Sequence, residues 1–398
     1  MDAEATLPRS GIEDGGATSL ARRSLVPLRA DGANSCKARG FSSAEFLRDE
    51  ASAQRACVSS LARTMDNETN MSAQPQRQEL LRFAANWRQD ELALPDPFPL
   101  DSGASLCNAR LAWQCAGPND APLIIALGGI SAHRRPCAED GRGWWEAQCG
   151  EGRVLDTLRY RVLGIDWLGG VDASSGPCAG ETFPQVSTKD QARALLLLLN
   201  RLGVRRVHLL VGASYGGAVA QQLALLLGER LRRLVLLSAA HRTSQFGLAL
   251  RHIQRAILDL GGDGRDALAL ARSLAVLGYR TPDGIEARFG EVDSGEDVLA
   301  WLAHHGERFT ARFNTAAYRR LGESLDEHAV DPAAIRVPTT LLAVREDLIV
   351  PLALLREFAA RAAACELVEI SSAYGHDAFL KEEGAVATLL RAATEVTA

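Results

Sequence analysis

From about residue 105 onward, short apolar runs alternate with longer stretches in which apolar residues recur every three or four positions. Leu123–Leu127, Tyr160–Ile165 and Val207–Val211 read as strands, and Asp190–Leu202 between them keeps helical spacing. Such alternation predicts an α/β fold: a mostly parallel sheet with helices on both faces. The strand pattern resumes at Leu234–Ser238, breaks off, and returns only at Thr339–Val344 and Leu367–Ile370. Inside the gap, Phe246–Leu260, Asp266–Leu277 and Val298–Phe313 repeat apolar residues at helical intervals, which predicts a helical cap over the strand ends. The expected organisation is a first core segment at 73–240, an inserted cap at 241–335 and a second core segment at 336–398.

Residues 1–72 are rich in Ala, Ser, Arg and Gly and lack a sustained apolar period, so they are expected to form a disordered tail. The only methionines are Met1, Met65 and Met71, which makes a misassigned start the alternative expectation. Asp2, Glu4, Glu13 and Asp14 argue against a transit peptide.

Composition narrows the function. The 398 residues are 47% hydrophobic and 23% charged, as in an ordinary folded protein of two or three units or one large domain with an insertion. A net charge of −5 offers no basic face for nucleic acid. The pentaleucine run Leu195–Leu199 is far shorter than the roughly 20 residues that span a bilayer. Eight cysteines occur without a C-x-x-C pair or a secretory leader, so reduced thiols in a cytoplasmic protein are expected. His133 and Cys137 have no second pair to complete a zinc site, and no metal is expected.

Chemistry concentrates in Val207-His208-Leu209-Leu210-Val211-Gly212-Ala213-Ser214-Tyr215-Gly216-Gly217, followed by the helical Ala218–Leu227. The order is strand, sharp turn, helix. Gly212 and Gly216 free the space beside a strained turn that lifts the Ser214 hydroxyl above the sheet, and the Tyr215 amide then faces an oxyanion formed there. A serine needs a base to take its proton and an acid to orient that base. Asp347, in the loop after Thr339–Val344, is the expected acid, with Glu346, Asp326 and Asp331 as alternatives. His376, in the loop after Leu367–Ile370, is the expected base; His208 lies in a strand run, while His304 and His305 lie in a cap helix. Gly129, with Gly128 beside it, is the expected second oxyanion donor.

Trp144-Trp145-Glu146, Gly212–Gly217, Ala239-Ala240-His241-Arg242-Thr243-Ser244 and Ser372–Leu380 together resemble the homoserine O-acyltransferase family of the α/β-hydrolase fold, over roughly residues 105–395. Tyr374-Gly375-His376-Asp377-Ala378-Phe379-Leu380 is the most specific piece. The resemblance implies transfer of an acetyl or succinyl group from acetyl-CoA or succinyl-CoA to the hydroxyl of L-homoserine, through an acyl-serine, in methionine biosynthesis. It implies no bound cofactor, a substrate carboxylate held by Arg242, an ammonium held by Asp377, and a homodimer through the cap helices. Departures stand at Tyr215, where relatives carry Met, at Ala126–Ile130 and at Phe313–Tyr318. They leave donor and acceptor choice open, including serine as acceptor. A succinyl donor calls for an extra cation, for which Arg134 and Arg135 are candidates. An ester or thioester hydrolase with the same triad and a non-catalytic binding scaffold are the competing readings.

Overall fold

The computed structural model describes residues 87–178, 182–261, 264–290 and 297–395; the expected tail at 1–72 lies outside them. Strands β1 (Trp87–Ala93), β2 (Arg110–Ala116), β3 (Leu123–Leu127), β4 (Arg161–Ile165), β5 (Leu209–Ala213), β6 (Leu234–Leu237), β7 (Thr339–Val344) and β8 (Cys365–Ile370) share one eight-stranded sheet. Their spatial order is β1-β2-β4-β3-β5-β6-β7-β8. The pairs β1/β2 and β2/β4 are antiparallel and all the others parallel.

The central strands are apolar throughout because both faces are covered: every residue of β3, β5, β6 and β7 is buried. Alternate side chains feed two cores. Ile125 and Leu127 join Leu195, Leu199 and Phe358 on one face, whereas Ile124 and Ala126 meet Trp145 and Leu390 on the other. Each fully buried leucine contributes about 2 kcal/mol of transfer free energy. Cys137 and Cys149, two of the cysteines expected to be reduced, lie in the second core with sulfurs 2.9 Å apart.

Helix α1 (Thr188–Arg201) opens with a capping box in which the Ser187 hydroxyl accepts from the Asp190 amide and the Asp190 carboxylate accepts from the Ser187 amide. It packs beside α2 (Tyr215–Leu227). Between β6 and β7 the described residues form α3 (Gln245–Gly261), α4 (Arg265–Tyr279), α5 (Pro282–Phe289), α6 (Val298–Thr310) and α7 (Thr315–Asp326). After β7 come α8 (Leu352–Arg361), the short α9 (Ala378–Lys381) and α10 (Glu383–Glu395).

Strand structure starts upstream of residue 105, at β1, whose row Trp-Arg-Gln-Asp-Glu-Leu-Ala is mostly exposed at the sheet edge. His208 falls just before β5; it stacks on Tyr160 and its Nε2 lies 3.1 Å from the Thr394 carbonyl oxygen. The parallel strands direct the loops after β3, β5, β6, β7 and β8 to one edge of the sheet, where an α/β protein assembles its site. No helix among the described residues is long and apolar enough to cross a membrane.

Candidate active site

Ser214 follows β5 and precedes α2 with φ 52° and ψ −119°, a left-handed conformation that costs a serine of order 1–3 kcal/mol. The flanking glycines make this turn possible. A Cβ on Gly212 would stand 2.4 Å from the Gly216 carbonyl oxygen, and one on Gly216 would stand 2.4 Å from that of Leu127. The Gly216 amide donates to the Gly128 carbonyl at 2.9 Å, tying the turn to the loop after β3.

Three residues far apart in sequence then form one relay. His376 Nε2 lies 2.8 Å from Ser214 Oγ, and its Nδ1 lies 2.7 Å from Asp347 Oδ2. Asp347 Oδ1 accepts from the amides of Ile349 and Val350, both at 2.9 Å, which fixes the carboxylate. His376 and Asp347 are both buried. Burial alone would push the imidazole pKa down, yet the Asp347 carboxylate, helped by Asp377, holds it above the ordinary histidine value. The other candidate acids are engaged elsewhere: Glu346 accepts from the Ser372 amide, Asp326 pairs with Arg251 and Arg255, and Asp331 caps residues 332–334 and pairs with Arg361.

Tyr215 begins α2, where first-turn amides have no intrahelical acceptor. Its side chain turns into the core and its hydroxyl meets Ser324 Oγ at 2.9 Å, linking the turn to cap helix α7. Burial drives that phenol up to about 12. The two loop glycines differ in surroundings. A Cβ on Gly128 would clash with Ala132 at 2.5 Å and Trp144 at 2.9 Å, whereas one on Gly129 would face Ser214 Cβ at 3.9 Å. Gly128 therefore answers to packing, and Gly129 stands beside the hydroxyl.

Two adjoining cavities meet at Ser214. The outer one, of about 580 Å³, is lined by His376, Ile130, Tyr279, Tyr318, Arg251 and Arg255 among others. The other, called inner for its place on the side of the residues that follow β6 and no less open than the first, has about 380 Å³ and is lined by Ser238, Thr243, Ser244, Arg251, His328 and Arg242 with apolar residues such as Ile349. Arg242 is exposed and pairs with Glu357 of α8 at 3.4 Å. Asp377 lines neither cavity; it pairs with Arg280 at 3.0 Å and makes no side-chain cap to α9. Arg134 pairs with buried Asp166, and Arg135 lies 3.6 Å from Asp140, so neither cation faces Ser214.

Besides Arg242, the cations lining the cavities are Arg251 and Arg255, which the sequence reading missed. Both project from α3 and share Asp326, through Arg251 Nε and, at 2.7 Å, Arg255 Nη2. Their i, i+4 spacing was the available signal, since it puts both guanidiniums on one helix face.

A serine on a strained strand-to-helix turn, relayed through histidine to aspartate above a sheet of this order, defines the α/β-hydrolase class, and the alpha/beta hydrolase fold family matches residues 122–383. A homoserine O-succinyltransferase from Xanthomonas campestris pv. campestris is 38% identical over 301 residues, covering 72% of this chain and 79% of that protein. A homoserine O-acetyltransferase from Thermus thermophilus is 36% identical over 276 residues, covering 63% of this chain and 71% of that protein. The solved homoserine O-acetyltransferase of Staphylococcus aureus superposes with a TM-score of 0.71 at 26% identity, over 79% of this chain and 97% of that one. The chain belongs to the homoserine O-acyltransferase family and is an acyltransferase of the homoserine O-acetyl/succinyltransferase type.

Proposed function

We propose that this chain moves an acyl group from acyl-CoA to the side-chain hydroxyl of L-homoserine in the cytoplasm, with Ser214 as nucleophile, His376 as base and Asp347 as orienting acid. The observation that carries the reading is the continuous relay of 2.8 Å and 2.7 Å from Ser214 Oγ through His376 to Asp347. Ser214 Oγ attacks the thioester carbonyl and gives its proton to His376 Nε2. The amides of Tyr215 and Gly129 hold the oxyanion. As the carbon–sulfur bond breaks, the imidazolium returns the proton to the leaving thiolate, and free coenzyme A departs. His376 next takes the proton of the homoserine hydroxyl as its oxygen attacks the acyl-serine, and returns it to Ser214 Oγ as the bond to the acyl carbon breaks, which restores both residues.

The acceptor's carboxylate is assigned to Arg255, whose Nη1 is buried and unpartnered at the outer cavity. Its ammonium is assigned to Asp377, next to His376 in the chain, which would then exchange its Arg280 partner for the acceptor. Arg242, exposed and paired with Glu357, is assigned to the cavity rim. The exposed Phe246, Ile253 and Leu260 of α3 support a homodimer through the cap.

Acyl-CoA is mixed with the protein with and without homoserine, and thiol release is followed alongside intact mass. An acyl adduct on the protein without acceptor, and O-acylhomoserine with it, are expected. Ser214→Ala is expected to lose about 10⁶-fold in turnover. Rapid thiol release that ignores homoserine would mark a hydrolase instead.

A further inference from the structure

Ser214 lines both cavities, but His376 lines only the outer one. In an acyl-serine mechanism the leaving thiolate and the arriving hydroxyl both exchange a proton with His376 Nε2. Both must therefore use the outer cavity. The acyl chain attached to Ser214 Oγ is left with the inner one.

The inner cavity sets a few polar groups among apolar walls formed by Ala218, Ala239, Leu325, Ile349 and Val350. Ser238 is fully buried, holds a left-handed φ of 48°, and its hydroxyl has no hydrogen-bond partner. His328 is buried, with Nδ1 3.1 Å from Thr188 Oγ1; its Nε2 makes no aligned hydrogen bond, with the Ala240 carbonyl nearby. Arg251 uses Nε on Asp326 and Nη2 on Thr243 Oγ1, leaving Nη1 without a hydrogen bond among the described residues. Asp326 serves two guanidiniums, so this wall of the site carries more positive than negative charge. The other nearby carboxylate, Glu357, is occupied by Arg242, Arg361 and His241.

A methyl group in this cavity would leave the buried Ser238 Oγ unpaired, a real cost, and would give the half-buried Arg251 no anion to meet. We infer that the acyl group carried by Ser214 ends in a carboxylate, as a succinyl group does, and that this carboxylate is received in the inner cavity by Arg251 and Ser238. The inference rests on the acyl-serine reading above and adds the identity of the donor.

The test uses the full chain with acetyl-CoA and succinyl-CoA, separately and in competition, reading the intact mass of the acyl-enzyme and kcat/KM with homoserine. Succinyl-CoA is expected to be preferred by about 100-fold. Arg251→Met is expected to lower kcat/KM for succinyl-CoA by about 100-fold while acetyl-CoA falls far less, with Arg251→Lys recovering part of the loss. Ser238→Ala, which removes a hydroxyl with no protein partner, is expected to lower succinyl-CoA use by about tenfold. Preference of the unaltered protein for acetyl-CoA overturns the inference, whatever the variants do to folding. Equal losses with both donors in Arg251→Met and Ser238→Ala overturn it too. Absence of any acyl adduct from either donor removes the acyl-serine reading itself, a result distinct from an acetyl preference.

Discussion

Helices α2 and α3 have apolar residues at the same spacing and use them in opposite ways. In α2, Val219, Ala220 and Leu223 are fully buried against the sheet and α1. In α3 only Gly247, Gln254 and Leu258 are buried; Phe246, Ile253 and Leu260 are 50%, 51% and 91% exposed. Arg251, Gln254 and Arg255 face the cavity instead. Periodicity therefore fixes a helix and its stripe, but not which stripe faces inward. In α2 the sheet decides; in α3 the cavity at Ser214 decides.

The largest effect expected from breaking this arrangement lies on the sheet side. Asp347→Asn keeps the size of the side chain but removes the charge that orients His376, and should lower kcat by about 10⁴-fold. It carries a pH signature as well. Because Asp347 raises the imidazole, and the reaction needs the neutral base, activity of the unaltered protein should fall as pH drops through a value above the ordinary histidine pKa of about 6.5. In Asp347→Asn the residual activity should keep its acid limb at lower pH. A pH profile of kcat/KM checks both, and an unmoved limb would count against the relay.

Next in size is the packing of α2. Leu223 is fully buried, so Leu223→Ala should lower unfolding free energy by about 2–5 kcal/mol in a denaturant titration, with the m-value preserved. A cost below about 1 kcal/mol would mean that α2 is as loosely held as the outer face of α3.

On the inward face of α3, Arg255→Met should raise the KM for homoserine by about 100-fold while acyl-enzyme formation from acyl-CoA stays much closer to normal. Stopped-flow thiol release separates the two half-reactions. If acylation slowed as much as acceptor capture, Arg255 would be supporting the cavity wall rather than receiving the acceptor.

These contrasts also explain what was legible in the sequence. Leu123–Leu127 and Thr339–Val344 coincide with β3 and β7 because strands buried on both faces are uninterrupted apolar runs. Ser214 and Asp347 were readable because each follows such a strand, and His376 because it follows the short, partly exposed run Leu367–Ile370 of β8; the fold brings these strand ends together. β1 was not readable, since an edge strand with Arg88, Gln89, Asp90 and Glu91 exposed has no apolar signature. α7 was missed although Ala317, Tyr318, Leu321 and Leu325 keep helical spacing; Arg319, Arg320 and Glu323 on its other sides lie in ion pairs. Arg242 came from the family resemblance; Arg251 and Arg255 carried no such mark, and a charged residue inside an amphipathic helix normally faces water. Only the cavity reverses that rule.

The smallest expected effect comes from the outward stripe of α3. Leu260, at 91% exposure, has almost no contact to lose within its own protomer, so Leu260→Gln should change the unfolding free energy of dilute protein by less than about 0.5 kcal/mol. The same substitution should weaken a cap-to-cap dimer, because a glutamine amide would have to be stripped of water at the interface. Sedimentation at rising concentration and denaturant unfolding at low concentration separate the two effects. A large loss of stability in dilute protein would show that Leu260 packs within the protomer, and the contrast between α2 and α3 would then shrink to the cavity-facing residues alone.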